Sequence, residues 1–124
     1  MISDTKKVLI ETDRVLSDET KWTKNKFSAD ENNICTLFTN SEAYMFCLIG
    51  SLKKTCFDLK AEEEVYANSI HFLRKAHDIV TNTKNRDVVT FVQESNLLQC
   101  YNDDPKTTFV DIKNLLSLAI ELLV

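Results

Sequence analysis

Residues Ala43 to Gly50 form an unbroken apolar run that holds the only glycine in 124 residues. The run is too long for a typical buried strand. With Ser41 before it and Lys53-Lys54 after it, it predicts a helix over Ser41 to Cys56 that is apolar on almost every side and therefore central. Asn40 or Ser41 is the expected N-cap. Gly50 then falls inside a helix, where it costs roughly 1 kcal/mol against alanine. The compensation expected is a close approach, with another backbone or a bulky ring crossing at Gly50.

One glycine and one proline leave few turn formers and favour long regular elements over a turn-rich β fold. The length suits one domain with a real core, and no shift of composition marks a second. Residues 1–124 are expected to form a single, mainly α domain, a bundle of four to five helices. The first helix runs from Asp4 to Leu16, with Ser3 or Asp4 as cap and Val8, Thr12, Val15 and Leu16 along one face. Lys21 to Asn33 has no helical period. Lys24-Asn25-Lys26, between Trp22 and Phe27, predicts a tight turn with a left-handed Asn25, within a short hairpin or irregular loop near Trp22 to Asn33.

The polar stretch Phe57 to Ala61 leads to an amphipathic helix over Glu62 to Val80, with Val65, Ser69, Phe72, Leu73, Ala76 and Val80 at helical spacing. Glu62, Glu63 and Glu64 suit its start and Arg74, Lys75 and His77 its end. After a polar break, Thr81 to Asn85, the segment Asp87 to Glu94 fits a short helix or a strand, with helix the expected form. Leu97 to Tyr101 is expected to be a short extended segment, because it runs into Asn102-Asp103-Asp104-Pro105 and proline biases the residue before it away from helix. The last helix starts at Thr108, with Asp111 completing a capping box, and buries Phe109, Ile112, Leu115, Leu116, Ala119 and Leu123.

A net charge of −4 has the wrong sign for a protein whose main partner is a phosphate backbone, so nucleic acid is not expected. No signal core and no membrane-spanning run is legible, so a soluble, cytoplasmic protein is expected. The four cysteines, Cys35, Cys47, Cys56 and Cys100, contain no CxxC and read as buried thiols acting as small hydrophobes. Trp22 reads as a lid over the core, with a ligand or partner contact as the alternative. His71 and His77 lie six apart, which is not the i, i+4 pair of a helical metal site. With one glycine a phosphate-cradling loop is out of reach, and no hydrolase, zinc or EF-hand signature is present. No catalytic residue, metal ligand or cofactor is expected.

The densest polar constellation is Tyr101-Asn102-Asp103-Asp104-Pro105, with Thr107 and Thr108 behind it. Two neighbouring carboxylates beside a helix start can hold a cation or supply a base, but turn and cap chemistry explains the same residues. The stretch YNDDPKTTFVDIKNLLSLAI resembles the C-terminal signature of the bacterial and phage family called domain of unknown function 6197. Asn102, Asp103, Pro105, Thr108, Asp111, Ile112 and Ala119 fall on its pattern. Upstream, Trp22 with Phe27, Ala29 and Asp30, and Ala43, Cys47, Gly50 and Ser51, are similar to two further segments of that family. Tyr101 stands where tryptophan is usual, Thr107 where arginine is common and Asn25 where glycine is expected. The resemblance implies a mainly helical single domain of bacterial or phage origin and carries no activity with it.

Trp22, Asp30, Cys47, Asn102, Asp103 and Thr108 are unusual choices for packing alone. They are expected to converge, either as a buried polar network that fixes the loops or as a small ligand pocket. The binding candidates are Trp22, Phe27, Asp30, Tyr101, Asn102, Asp103 and Thr108. The functional expectation is a small, non-enzymatic interaction or regulatory protein that binds a protein partner through a helix-presented acidic surface. A ligand- or metal-binding protein or enzyme using the Asn102/Asp103 turn, and a structural homo-oligomer such as a homodimer, are the alternatives.

Overall fold

Four of the five helices begin where a side chain answers free backbone N–H groups, and the third begins without such a cap. The computed structural model describes residues 3–84 and 87–123. In it, Ser3 Oγ accepts from the Lys6 N–H at 3.2 Å and starts α1 (Asp4–Val15). Cys47 Sγ accepts from the Gly50 N–H at 3.2 Å and starts α2 (Leu48–Leu59). Glu63 and Glu64 occupy the first turn of α3 (Glu63–Thr81), where the macrodipole favours them. Complete capping boxes start α4 (Phe91–Asp103), through Thr90 and Gln93, and α5 (Phe109–Leu122), through Thr108 and Asp111.

The helices bury one another through apolar stripes. Leu9 and Leu16, Leu48 and Leu52, Ile70 and Leu73, Leu98, and Ile112, Leu115 and Leu116 are sealed from solvent. The third helix packs against all four others and is the shared element, a position that the apolar run had suggested for α2. Tyr66 meets Phe91, His71 meets Glu94 and His77 meets Tyr101, in the same order along both helices. Helices α3 and α4 therefore lie side by side in the same direction. Lys113 of α5 closes the end of α1 by donating to the carbonyls of Asp13 and Leu16 at 2.8 and 2.9 Å.

The chain is thus mainly α, with five helices and one two-stranded antiparallel clip, β1 (Ser28–Ala29) on β2 (Met45–Phe46). The apolar run accordingly splits into two structures. The expected helix from Ser41 begins only at Leu48, and Asn40 caps a local turn by accepting from the Glu42 N–H at 2.8 Å. The physical reason is that residues 44–47 give their backbone to the preceding loop. Tyr44 N–H donates to the Ala29 carbonyl at 2.8 Å, and Cys47 N–H donates to the Phe27 carbonyl at 3.2 Å. The loop has the left-handed Asn25 that its sequence predicts (φ 64°), but its strand pairs with a distant segment.

Leu97 to Tyr101 is helical, where an extended segment was expected. Proline constrains only the residue before it, and Asp104 (φ −59°, ψ 130°) already lies beyond the last turn of α4, so nothing bars helix through Asp103. Helix α2 continues through the polar stretch to Leu59 and ends on a left-handed Lys60. Val80, expected on the buried face of α3, is exposed, and so are Cys35 and Cys100, while Cys56 is half-buried. Asn85, the end of the expected polar break, lies outside the described residues.

Candidate functional site

Asn102 sits in the last turn of α4 with no solvent exposure. Burying a primary amide without partners is costly, so each of its four hydrogen-bonding positions needs an answer. Its Oδ1 accepts from Trp22 Nε1 at 2.8 Å and from the Leu48 N–H at 3.0 Å. Its Nδ2 donates to the Thr23 carbonyl at 3.1 Å and to Asp103 Oδ1 at 3.0 Å. One side chain therefore ties together the Trp22 loop, the first turn of α2 and the end of α4.

The network continues outward. Asp103 Oδ1 also accepts from the Asn25 N–H at 2.8 Å, and Gln99 Nε2 donates to both Asp103 oxygens at 3.1 and 3.0 Å. The Cys47 thiol donates to Gln99 Oε1 at 3.5 Å. Burial pushes that thiol up to about 11 and the Cys56 thiol also to about 11, so neither is a thiolate at neutral pH. Lys24 Nζ donates to the carbonyls of Asp104 and Thr107 at 2.6 and 2.7 Å, which straps the same loop over the turn between α4 and α5. The Trp22 ring rests 6.1 Å from that of Phe109. Inside the strap, a Cβ built on Gly50 would lie 1.8 Å from the Phe27 carbonyl oxygen, the backbone approach that its place in a helix implies.

The candidate residues divide accordingly. Trp22, Asn102 and Asp103 converge with Cys47 in one network whose amide is fully bonded. Asp30 stands apart and holds its own turn by accepting from the N–H groups of Asn32 and Ile34 at 2.9 and 3.0 Å. Thr108 is the cap of α5. Phe27 contributes its carbonyl, while its half-exposed ring lies under Lys53 Nζ at 4.2 Å. Tyr101 turns the other way and packs edge-on against His77, 4.9 Å between centroids.

Among the open grooves on the described residues, two flank the scaffold along α3 and α4. The larger, about 610 Å³, lies between α2, the start of α3 and the start of α4 and is lined by Phe38, Cys56, Tyr66 and Phe91. Tyr66 and Phe91 pack edge-on within it at 5.5 Å, and its Phe38 packs edge-on against Phe57 beside it at 6.2 Å. Phe57 is 60% exposed. No spacing in the sequence flags this surface, because its aromatics come from four separate segments. The second groove, about 510 Å³, lies at the other ends of α3 and α4 and is lined by His77 and Tyr101. Among the described residues, no group of three or more His, Cys, Asp or Glu is placed to hold a metal ion, and no helix is long and apolar enough to cross a membrane.

His77 is buried, and burial lowers its pKa below the ordinary 6.5, with Arg74 acting in the same direction and Asp78 opposing. A base whose folded pKa is depressed favours folding fully above its unfolded value. That advantage is lost as pH falls below 6.5 towards the folded pKa. The urea midpoint of the protein should therefore fall between pH 7 and pH 5.5, and His77→Gln should remove part of that fall. An identical pH profile in the variant would contradict the assignment.

Five helices, a two-stranded clip and a polar centre used by the fold itself define a small, mainly α, single-domain protein. The chain belongs to the family of unknown function (DUF6197), whose model matches residues 2–122 of its 124. Neither a curated protein nor a solved structure matches it.

Proposed function

We propose that this is a non-enzymatic interaction protein that docks a basic, amphipathic helical segment of a partner protein into the groove between α2, α3 and α4. The observation that carries the reading is a groove lined by Phe38, Tyr66 and the exposed Phe91, with exposed Phe57 packed edge-on against Phe38. Glu63 and Lys53 also line it, Glu63 belonging to an acidic helix start. Aromatics are the residues on which binding energy concentrates, and an exposed cluster of them is costly to leave in water. Among the described residues Glu62, Glu63 and Glu64 make no ion pair, which leaves their charge for a basic partner. A cytoplasmic location is in keeping with four unpaired cysteines, and a bacterial or phage origin with the family resemblance.

Fluorescence anisotropy with a labelled lysine–leucine helical peptide tests the reading, with an acidic glutamate–leucine peptide of the same length as control. The basic peptide should bind the tighter of the two, Phe57→Ser should weaken it roughly tenfold, and Glu63→Lys should weaken it and reduce its salt dependence. Equal binding of both peptides, or wild-type affinity in Phe57→Ser, would overturn the proposal. A concentration-dependent dimer mass abolished by Phe57→Ser would also overturn it, by assigning the groove to a second copy.

A further inference from the structure

The groove between α2, α3 and α4 is lined by two charges of opposite sign, Lys53 and Glu63. Lys53 lies about 9 Å of helical rise before the end of α2 at Leu59, and Glu63 opens α3 beyond that end. Among the described residues neither makes an ion pair, with the other or with any third side chain. Lys54, next along the chain, is by contrast paired with Asp58 at 3.0 Å. Glu62 and Glu64 are exposed on either side of Glu63, so the α3 end of the groove is negative and the Lys53 end positive.

Lys53 is held in place. Its side chain is half-buried, and its Nζ rests 4.2 Å from the centre of the Phe27 ring. That contact restricts a long side chain before any partner arrives, which lowers the entropy lost on binding. A uniformly basic segment in this groove would satisfy Glu63 but set a like charge against Lys53, and like charges opposed at an interface are unfavourable. A uniformly acidic segment has the reverse fault. Only a segment that carries both signs is complementary to both ends.

On the strength of the docking reading above, we propose that the partner's helical segment is bipolar. Its basic side chains meet Glu63, one acidic side chain at its other end meets Lys53, and its apolar face lies on Phe38, Tyr66 and Phe91. Lys53 is then a specificity residue. It rejects segments that are basic throughout and fixes which end of the partner lies at the start of α3, because the reversed placement opposes like charges at both ends.

Fluorescence anisotropy at low salt with three labelled helical peptides tests this. They are the lysine–leucine peptide, the same peptide with one lysine replaced by glutamate in a terminal turn, and the same replacement in its central turn. The wild-type protein should bind the terminal-glutamate peptide about threefold more tightly than the all-basic one, and the central-glutamate peptide no more tightly than the all-basic one. Lys53→Gln keeps most of the stem over Phe27 and should retain the melting temperature. It should bind the all-basic peptide at least as tightly as wild type and lose the preference for terminal glutamate. Three results would overturn the bipolar assignment and leave docking in place: an all-basic peptide bound by wild type as tightly as the terminal-glutamate one, a central glutamate that serves as well as a terminal one, or a preference that persists in Lys53→Gln. Binding of none of the peptides would overturn the docking reading, and the assignment with it.

Discussion

Replacing Gly50 by alanine is expected to destabilise the protein by about 3 kcal/mol or more. On helix propensity alone the sign would be opposite, since alanine is favoured over glycine by about 1 kcal/mol inside a helix. The crossing decides. A Cβ at residue 50 would meet the Phe27 carbonyl oxygen at 1.8 Å and its carbon at 2.7 Å, and both are backbone atoms with no rotamer to change. Retreat of that carbonyl would break its bond to the Cys47 N–H and strain the Ser28–Ala29 pairing next to it. Urea unfolding of Gly50→Ala measures the effect, and a variant as stable as wild type would show that the loop does not cross α2 there.

Asn102→Ala should cost about 4 kcal/mol, the next largest effect. Truncation leaves Trp22 Nε1 and the Leu48 N–H without their shared acceptor and the Thr23 carbonyl without its donor, and it removes one of the donors to Asp103. Unsatisfied buried groups are more costly than the net value of the bonds they made. Thr108→Ala, which removes one helix cap, should cost only about 1 kcal/mol. Thermal melts of the two variants side by side check the ranking. Equal losses would reduce Asn102 to an ordinary turn residue.

The helices were legible wherever a cap and an apolar stripe agreed, as at Ser3 with Val8 and Thr12, or Thr108 with Ile112 and Leu115. The Gly50 crossing was legible too, because a lone glycine in a helix needs a neighbour that tolerates no Cβ. The boundary at Cys47 was not. Eight apolar residues have no period that separates a strand from a helix, and the deciding partners, Phe27 and Ala29, are distant in sequence. The reading of residues 97–101 failed because proline's restriction was extended several residues too far back. Of the polar residues expected to meet, Trp22, Cys47, Asn102 and Asp103 do so, while Asp30 and Thr108 serve their own turns. The two grooves were illegible, since each gathers side chains from separate helices without a shared motif.

The central structural claim, that Asn102 joins the Trp22 loop to the helix ends, has a direct measure in a double-mutant cycle. Trp22→Phe keeps an aromatic lid and removes the Nε1 donor, Asn102→Ala removes the acceptor, and urea unfolding of both single variants and the double gives their coupling. The claim requires the double variant to lose less than the sum of the single losses, with a coupling of about 1 kcal/mol or more. Additivity to within about 0.3 kcal/mol would contradict it.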